Sequence, residues 1–276
     1  MLAALDARLD STQVASAWIK WILPFQRPDG GFDRLCRRGE RYEPCAAADA
    51  DDATLAIWME LLARFAPGNR MPPPWELSFQ KAARLLASLR DPHSGVYRIS
   101  PTSPVSLFMD NVEIDEALHA VAGYEHRAGH SAAARAWSKR AEELHRGIER
   151  VFQKPDGTFR VSTQEVPSTD FYPYEVAQIF PLTADIVRET AASRYAQWME
   201  RYRDRWLEQG KSDYPWALVA LVAERRGDRD TVRCWRARAL QFRHGAHWNI
   251  LEEALLRAFE ARLSPEEALA PACGAH

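Results

Sequence analysis

Three short segments of this chain share one form. FQRPDGGF at 25–32, LRDPHSGVY at 89–97 and FQKPDGTF at 152–159 each set a proline, polar residues and a glycine ahead of an aromatic. Their prolines, Pro28, Pro92 and Pro155, lie 64 and 63 residues apart. Self-similarity at such a period is what stacked supersecondary units produce. Each segment ends a helix, because proline cannot continue it and the glycine supplies a turn, and each then delivers an aromatic.

The helices flanking the turns differ in kind. AARLLASLR and ARAWSKRAEELHRGIERVF, which precede turns, mix Arg, Lys and Glu with apolar residues at three- and four-residue spacing and read as outer helices with one wet face. ATLAIWMELLARF and IDEALHAVAGY, which follow turns, are apolar around more of their circumference and read as enclosed inner helices. The alternation continues with outer ASRYAQWMERYRDRWLEQ, inner YPWALVALVAE, outer TVRCWRARALQF and inner WNILEEALLRAF. The expectation is all-α: one (α/α) toroid of about five to six helical hairpins over 1–276, with no linker dividing it. About ten helices are evident, with a short candidate at 2–9, whereas a closed ring of six hairpins needs twelve. The ring is therefore five-membered or open.

The inner helices open on acids and close at Gly68, Gly129 or Gly227. One acid per start is explained by capping of free N–H groups. The starts carry more than that. In a ring they would deliver Asp49, Asp51 and Asp52; Asp110, Asn111 and Glu113; Asp170, Tyr172 and Tyr174; Asp213, Tyr214 and Trp216; and His247 and Trp248 to one mouth. Carboxylates accept hydroxyl hydrogen bonds and move protons, and aromatic faces stack on sugar rings, so the mouth suits a carbohydrate. Within ADADDATLAIWMELLARF, Asp49 is the expected N-cap, Asp52 shares its side and faces the cavity, and Asp51 turns away towards an arginine such as Arg37 or Arg38.

Composition narrows the partners. A net charge of -2 argues against nucleic acid, and the N-terminus has neither a secretory signal nor a membrane span. Cys36, Cys45, Cys234 and Cys273 lack metal-ligand spacing and read as free thiols. A cytoplasmic protein without metal or organic cofactor is the expectation.

The double-helical repeat, the PDGGF-like turns and MDNVEIDEALHAVAGYEHRAGHSAAARAW resemble the six-hairpin glycosidase superfamily of (α/α) toroids, over residues 11 to about 262. That group includes unsaturated uronyl hydrolases, mannanases with paired aspartates, and sugar epimerases. The resemblance implies catalytic acids where inner helices meet the cavity: Asp110 in its MDN setting, Asp52 as its partner and Glu113 in reserve. It implies a glycoside hydrolase working by inverting hydrolysis, or by hydration of an unsaturated uronyl sugar. Asp49, Asp170, Tyr172, Tyr174, Asp213, Trp216, His247 and Trp248 would bind substrate. DADD at 49–52 and QRPDGGF also resemble motifs of class II terpene cyclases, in which the central aspartate, here Asp51, is the proton donor. A polysaccharide lyase would draw instead on Tyr172, Tyr174, His247 and Asn249, and a non-catalytic sugar-binding toroid would use the mouth for binding alone.

Overall fold

The computed structural model describes residues 1–6, 10–164, 168–184, 186–262 and 273. In chain order its elements are α1 (Leu2–Asp6), α2 (Thr12–Ile22), β1 (Arg34–Arg38), β2 (Arg41–Ala46), α3 (Asp51–Phe65), α4 (Pro73–Leu89), α5 (Phe108–Arg127), α6 (Ser131–Phe152), α7 (Val176–Ile179), α8 (Ala191–Leu207), α9 (Ala217–Arg225), α10 (Arg229–Ala239) and α11 (Ile250–Glu260). The chain is mostly helical, as its periodicity requires. Of the short candidate at 2–9, residues 7–9 lie outside the described residues, and α1 ends at Asp6.

Two compact units form, Thr12–Ser168 and Met1–Ser11 with Thr169–His276. In the first, α3 and α5 lie side by side, α4 packs on α3 and α6 on α5. All three turns close the same way. Arg27 N–H donates to Gly31 O (2.8 Å) and Gly30 N–H to Arg27 O (3.0 Å); Lys154 N–H donates to Thr158 O (2.8 Å) and Gly157 N–H to Lys154 O (2.9 Å). The middle turn is one residue longer, with Asp91 N–H to Val96 O and Gly95 N–H to Asp91 O, both 2.9 Å. Their aromatics Phe32, Tyr97 and Phe159 are all buried. Phe32 meets Trp58 of α3 at 5.2 Å between centroids, and Phe159 stacks on Phe108 of α5 at 4.6 Å. Burying each such ring stabilises the fold by about 1.5–3 kcal/mol, and the rings of the first and third turns pin those turns to α3 and α5. Asn111, expected at the mouth, is wholly buried, taking Tyr97 N–H on Oδ1 and donating from Nδ2 to the carbonyls of Tyr97 and Leu107.

The structure adds a small sheet to the helical expectation and corrects the sequence reading at the cysteines. β1 and β2 form an antiparallel hairpin between the first turn and α3, so the fold is helical with a small sheet. The cysteines are paired, not free: Cys36–Cys45 crosses the hairpin (Cα–Cα 5.7 Å) and Cys234–Cys273 ties α10 to position 273 (4.6 Å). Strand pairing brings the first pair into reach, and sequence spacing alone carries no such register.

In the second unit, α9 packs between α10 and α11, and α1 lies on α11. Trp206 and Trp235, both buried, donate from Nε1 to Pro215 O at 3.0 and 2.7 Å and fix the approach to α9. Gly129 and Gly227 follow their helices with φ of 84° and 75°, the left-handed conformation expected of them.

The first turn offers a test. Gly30 has φ +107°, and a Cβ there would stand 2.4 Å from Lys81 O on α4, whereas Gly39 has φ +62° and open space. Gly30→Ala should lower stability by about 1–3 kcal/mol or more and Gly39→Ala by about 1 kcal/mol in urea unfolding; equal losses would show that the α4 contact does not constrain the turn.

Candidate functional site

The first unit brings together Asp51 and Asp52 from the start of α3 with Asp110 and Glu113 from the first turns of α5. The start of α3 sits one residue later than capping by Asp49 requires. Ala50 is the N-cap and makes no side-chain bond, while Asp49 is 91% exposed at its side chain and pairs with Arg34 at 2.9 Å. The capping role expected of Asp49 is therefore absent, because the N–H of Asp51 is taken by Ile99 O at 2.7 Å. Asp51 does turn to an arginine, but to Arg27 of the first turn at 3.7 Å, not to Arg37 or Arg38. Arg27 also holds Asp29 and Asp33.

Asp52 is fully buried, with Oδ1 accepting the N–H of Ala53 at 2.9 Å. The carboxyl of Asp110 lies near enough to act on it by charge. No N–H or hydroxyl donor reaches Oδ2 of either residue. Two neighbouring buried carboxyls resist ionising together, so the pair is harder to ionise than either would be alone in water. Burial first, then the charge of Asp110, raises Asp52 to about 7; burial first, then Asp49, raises Asp110 to about 6. Glu113 follows Asp110 by one helical turn. Burial, then Asp110, Glu116, Asp52 and Glu60, pushes it up to about 8.

Sequence reasoning missed three further acids of these two helices. Glu60 and Asp115, both buried, lie within helices α3 and α5, where no helix start announces them. Glu116 adds a further charge beside Glu113. The available signal was an acid inside an apolar run, as in IWMELL and EIDEAL. Asp115 rises to about 7 through burial and then Glu116, with His119 at 3.7 Å and His145 at 4.0 Å.

The remaining candidates lie in the second unit. Tyr172, 52% exposed, stacks on Trp216 at 5.0 Å, and Trp216 Nε1 donates to Asp213 Oδ2 at 3.1 Å. Asp170 is exposed just before Phe171, and Tyr174 is half-buried with its carbonyl taking Gln178 Nε2. Trp248 donates to Glu253 at 3.1 Å, and His247 beside it is half-buried. Asn249 caps α11, accepting the N–H groups of Leu251 and Glu252, which gives that side chain a structural task. Buried Glu252 accepts Ala217 N–H at 3.0 Å and stands raised to about 7, chiefly by burial.

No family model and no curated protein matches the chain. Among the described residues, no group of three or more His, Cys, Asp or Glu side chains is arranged to hold a metal ion, and no helix is long and apolar enough to cross a membrane.

A pH dependence follows from the site. Asp52, Asp110 and Glu113 have folded-state pKa values raised above those of the unfolded chain, so the unfolded state releases their protons first as pH rises. Their contribution to stability is complete below about pH 4 and is lost through the window from about 6 to about 8. Asp115 and Glu252 add the same sign. Melting temperature should fall from pH 5 to pH 8, and Glu113→Gln should flatten the upper part of that fall; a variant curve parallel to wild type would mean that Glu113 is ionised throughout.

Proposed function

We propose that this chain is a carbohydrate-active hydrolase whose proton chemistry is run by Asp52, Asp110 and Glu113. The observation that supports it is the convergence of three carboxyls, raised to about 7, 6 and 8, at the starts of two adjacent inner helices. Acids tuned to neutrality are what general acid–base hydrolysis requires. The charge of Asp110 on Asp52 makes the two titrate as one unit. Glu113 therefore takes the separate role. Protonated at neutral pH, it donates to the leaving oxygen, while the Asp52–Asp110 pair, carrying one proton and one charge, accepts a proton from the attacking water. Hydration of a uronyl sugar fits less well, since its carboxylate would meet this acidic surround. A carbocation cascade fits poorly too: Glu113 and Glu116 would quench it, and Asp51 lies against Arg27.

The test is hydrolysis of a panel of glucan, mannan, xylan and chitosan oligomers, with products followed by chromatography. Asp110→Asn and Glu113→Gln should each lower kcat by about 10²–10⁴-fold, and Glu113→Gln should remove the alkaline limb of the pH profile near 8. Turnover retained by both variants would end this assignment.

We also place the protein's work in an oxidising compartment, against the cytoplasmic expectation, because two disulfides persist where glutathione does not reduce them. Thiol titration of the unfolded protein purified without reductant should find none free; four free thiols would return it to a reducing compartment.

A further inference from the structure

On the first unit, α2 and the β1–β2 hairpin carry large apolar side chains that the fold leaves open to solvent. α2 buries only Ala15 and Ile19. Val14, Trp18 and Trp21 follow one another at four- and three-residue spacing and so share one face of the helix. Val14 is mostly exposed, and Trp18, Trp21 and Tyr42 of β2 stand between 39% and 45% exposed. Tyr42 meets Trp21 edge-on at 5.3 Å, and Trp18 lies 6.5 Å from Trp21, so helix and hairpin form one patch. Contiguous exposed apolar surface marks an interaction site where scattered single residues do not.

The charge around the patch has one sign. α2 and the hairpin hold Lys20, Arg34, Arg37, Arg38 and Arg41 against only Glu40 and Glu43. Asp49 takes Arg34, and Glu43 takes Arg38. Lys20 adjoins Trp21, Arg41 adjoins Tyr42, and Arg37 lies opposite Tyr42 across the ladder. All three are exposed, and among the described residues no carboxylate pairs with them.

With rings of about 150–250 Å² some two-fifths exposed, the patch falls short of the about 800 Å² that each partner of a stable dimer buries. A sugar chain would need ring faces in a common plane, whereas Trp21 stands at 46°, 54° and 85° to Trp18, Phe25 and Tyr42. Insertion among lipid headgroups needs exposed apolar bulk and no flat platform. Trp and Tyr flanked by Lys and Arg are the residues that settle at that boundary, and an anionic leaflet supplies the charge opposite to Lys20, Arg37 and Arg41. We infer that α2 and the hairpin form a peripheral docking surface for an anionic lipid bilayer, with Trp18, Trp21 and Tyr42 at headgroup level. Such docking requires no spanning helix. It holds whether or not the acids of α3 and α5 are catalytic.

The test is co-sedimentation of the intact chain with vesicles of phosphatidylcholine alone and of phosphatidylcholine mixed with phosphatidylglycerol. Partitioning onto the anionic vesicles should be at least about tenfold stronger, should weaken as salt screens the surface charges, and should shift tryptophan emission to the blue. Combining Lys20→Gln, Arg37→Gln and Arg41→Gln should cut it by about tenfold or more. Trp21→Ser should cut it too while the variant keeps a cooperative melting transition. No partitioning, equal partitioning onto both vesicles, or partitioning untouched by the triple charge variant would overturn the proposal. Concentration-dependent dimers that Trp21→Ser abolishes would overturn it by assigning the patch to a second copy. Retardation in gels containing an acidic polysaccharide, lost in the same variant, would overturn it by assigning the patch to a glycan.

Discussion

The first unit depends on a backbone bond made twice. The N–H of Asp51, first residue of α3, is held by Ile99 O, and the N–H of Phe108, first residue of α5, by Val161 O at 2.9 Å. In each case the acceptor lies just beyond the next proline–glycine turn along the chain. A helix start normally looks to a short polar side chain for its open N–H groups. Here the neighbouring repeat supplies a carbonyl instead, and neither helix has a side-chain cap. That frees the acids at these starts from the task their position would otherwise assign them. The repeat both stacks the helices and makes their first-turn carboxyls available.

Availability is not comfort. Burying a carboxyl favours its neutral form, and a second carboxyl beside it does so again. Asp52, Asp110, Glu113 and Asp115 all show the effect in the same direction, burial being the largest cause for each. Such a group opposes the folded state at neutral pH, so packing elsewhere must offset it. The stack of Phe108 on Phe159, with Phe152 at 5.5 Å, lies at the foot of α5 and is wholly buried. Acids held near neutral pKa and the dense aromatic packing beneath them are thus two sides of one arrangement.

What the sequence disclosed follows from how local each signal was. The turns were legible because proline and glycine impose backbone geometry within a few residues, and their aromatics fell where the repeat put them. The β1–β2 hairpin was not, since RLCRR and RYEPCA are almost wholly exposed and carry no buried alternating face. Gathering Asp52, Asp110 and Glu113 needed only helix periodicity and the ordering of inner starts. Dividing the roles of Asp49, Asp51 and Asp52 needed the bond to Ile99, which lies 48 residues from Asp51 and which no local pattern encodes. Arg27 was missed for a related reason: its partner Asp51 is beyond the hairpin, far outside any helical spacing.

The second unit provides the contrast that decides which acids are free to act. At the start of α9 the backbone N–H of Ala217 is met by the carboxylate of Glu252 from α11, and Trp216 enters with φ 56° while its ring nitrogen binds Asp213. There the buried acid serves the helix start directly, as Asn249 serves α11 and Asp228 serves α10. Removing Glu252 would leave a buried N–H without an acceptor, a structural loss. Replacing Asp52 by Asn would remove a buried acid and keep the backbone bond from Ala53 within reach of the remaining oxygen. Raised pKa values occur in both units, so titration alone does not separate chemistry from architecture. The partner of each carboxylate does: Glu252 answers a backbone N–H from another helix, whereas Oδ2 of Asp52 and Oδ2 of Asp110 receive no N–H or hydroxyl donor.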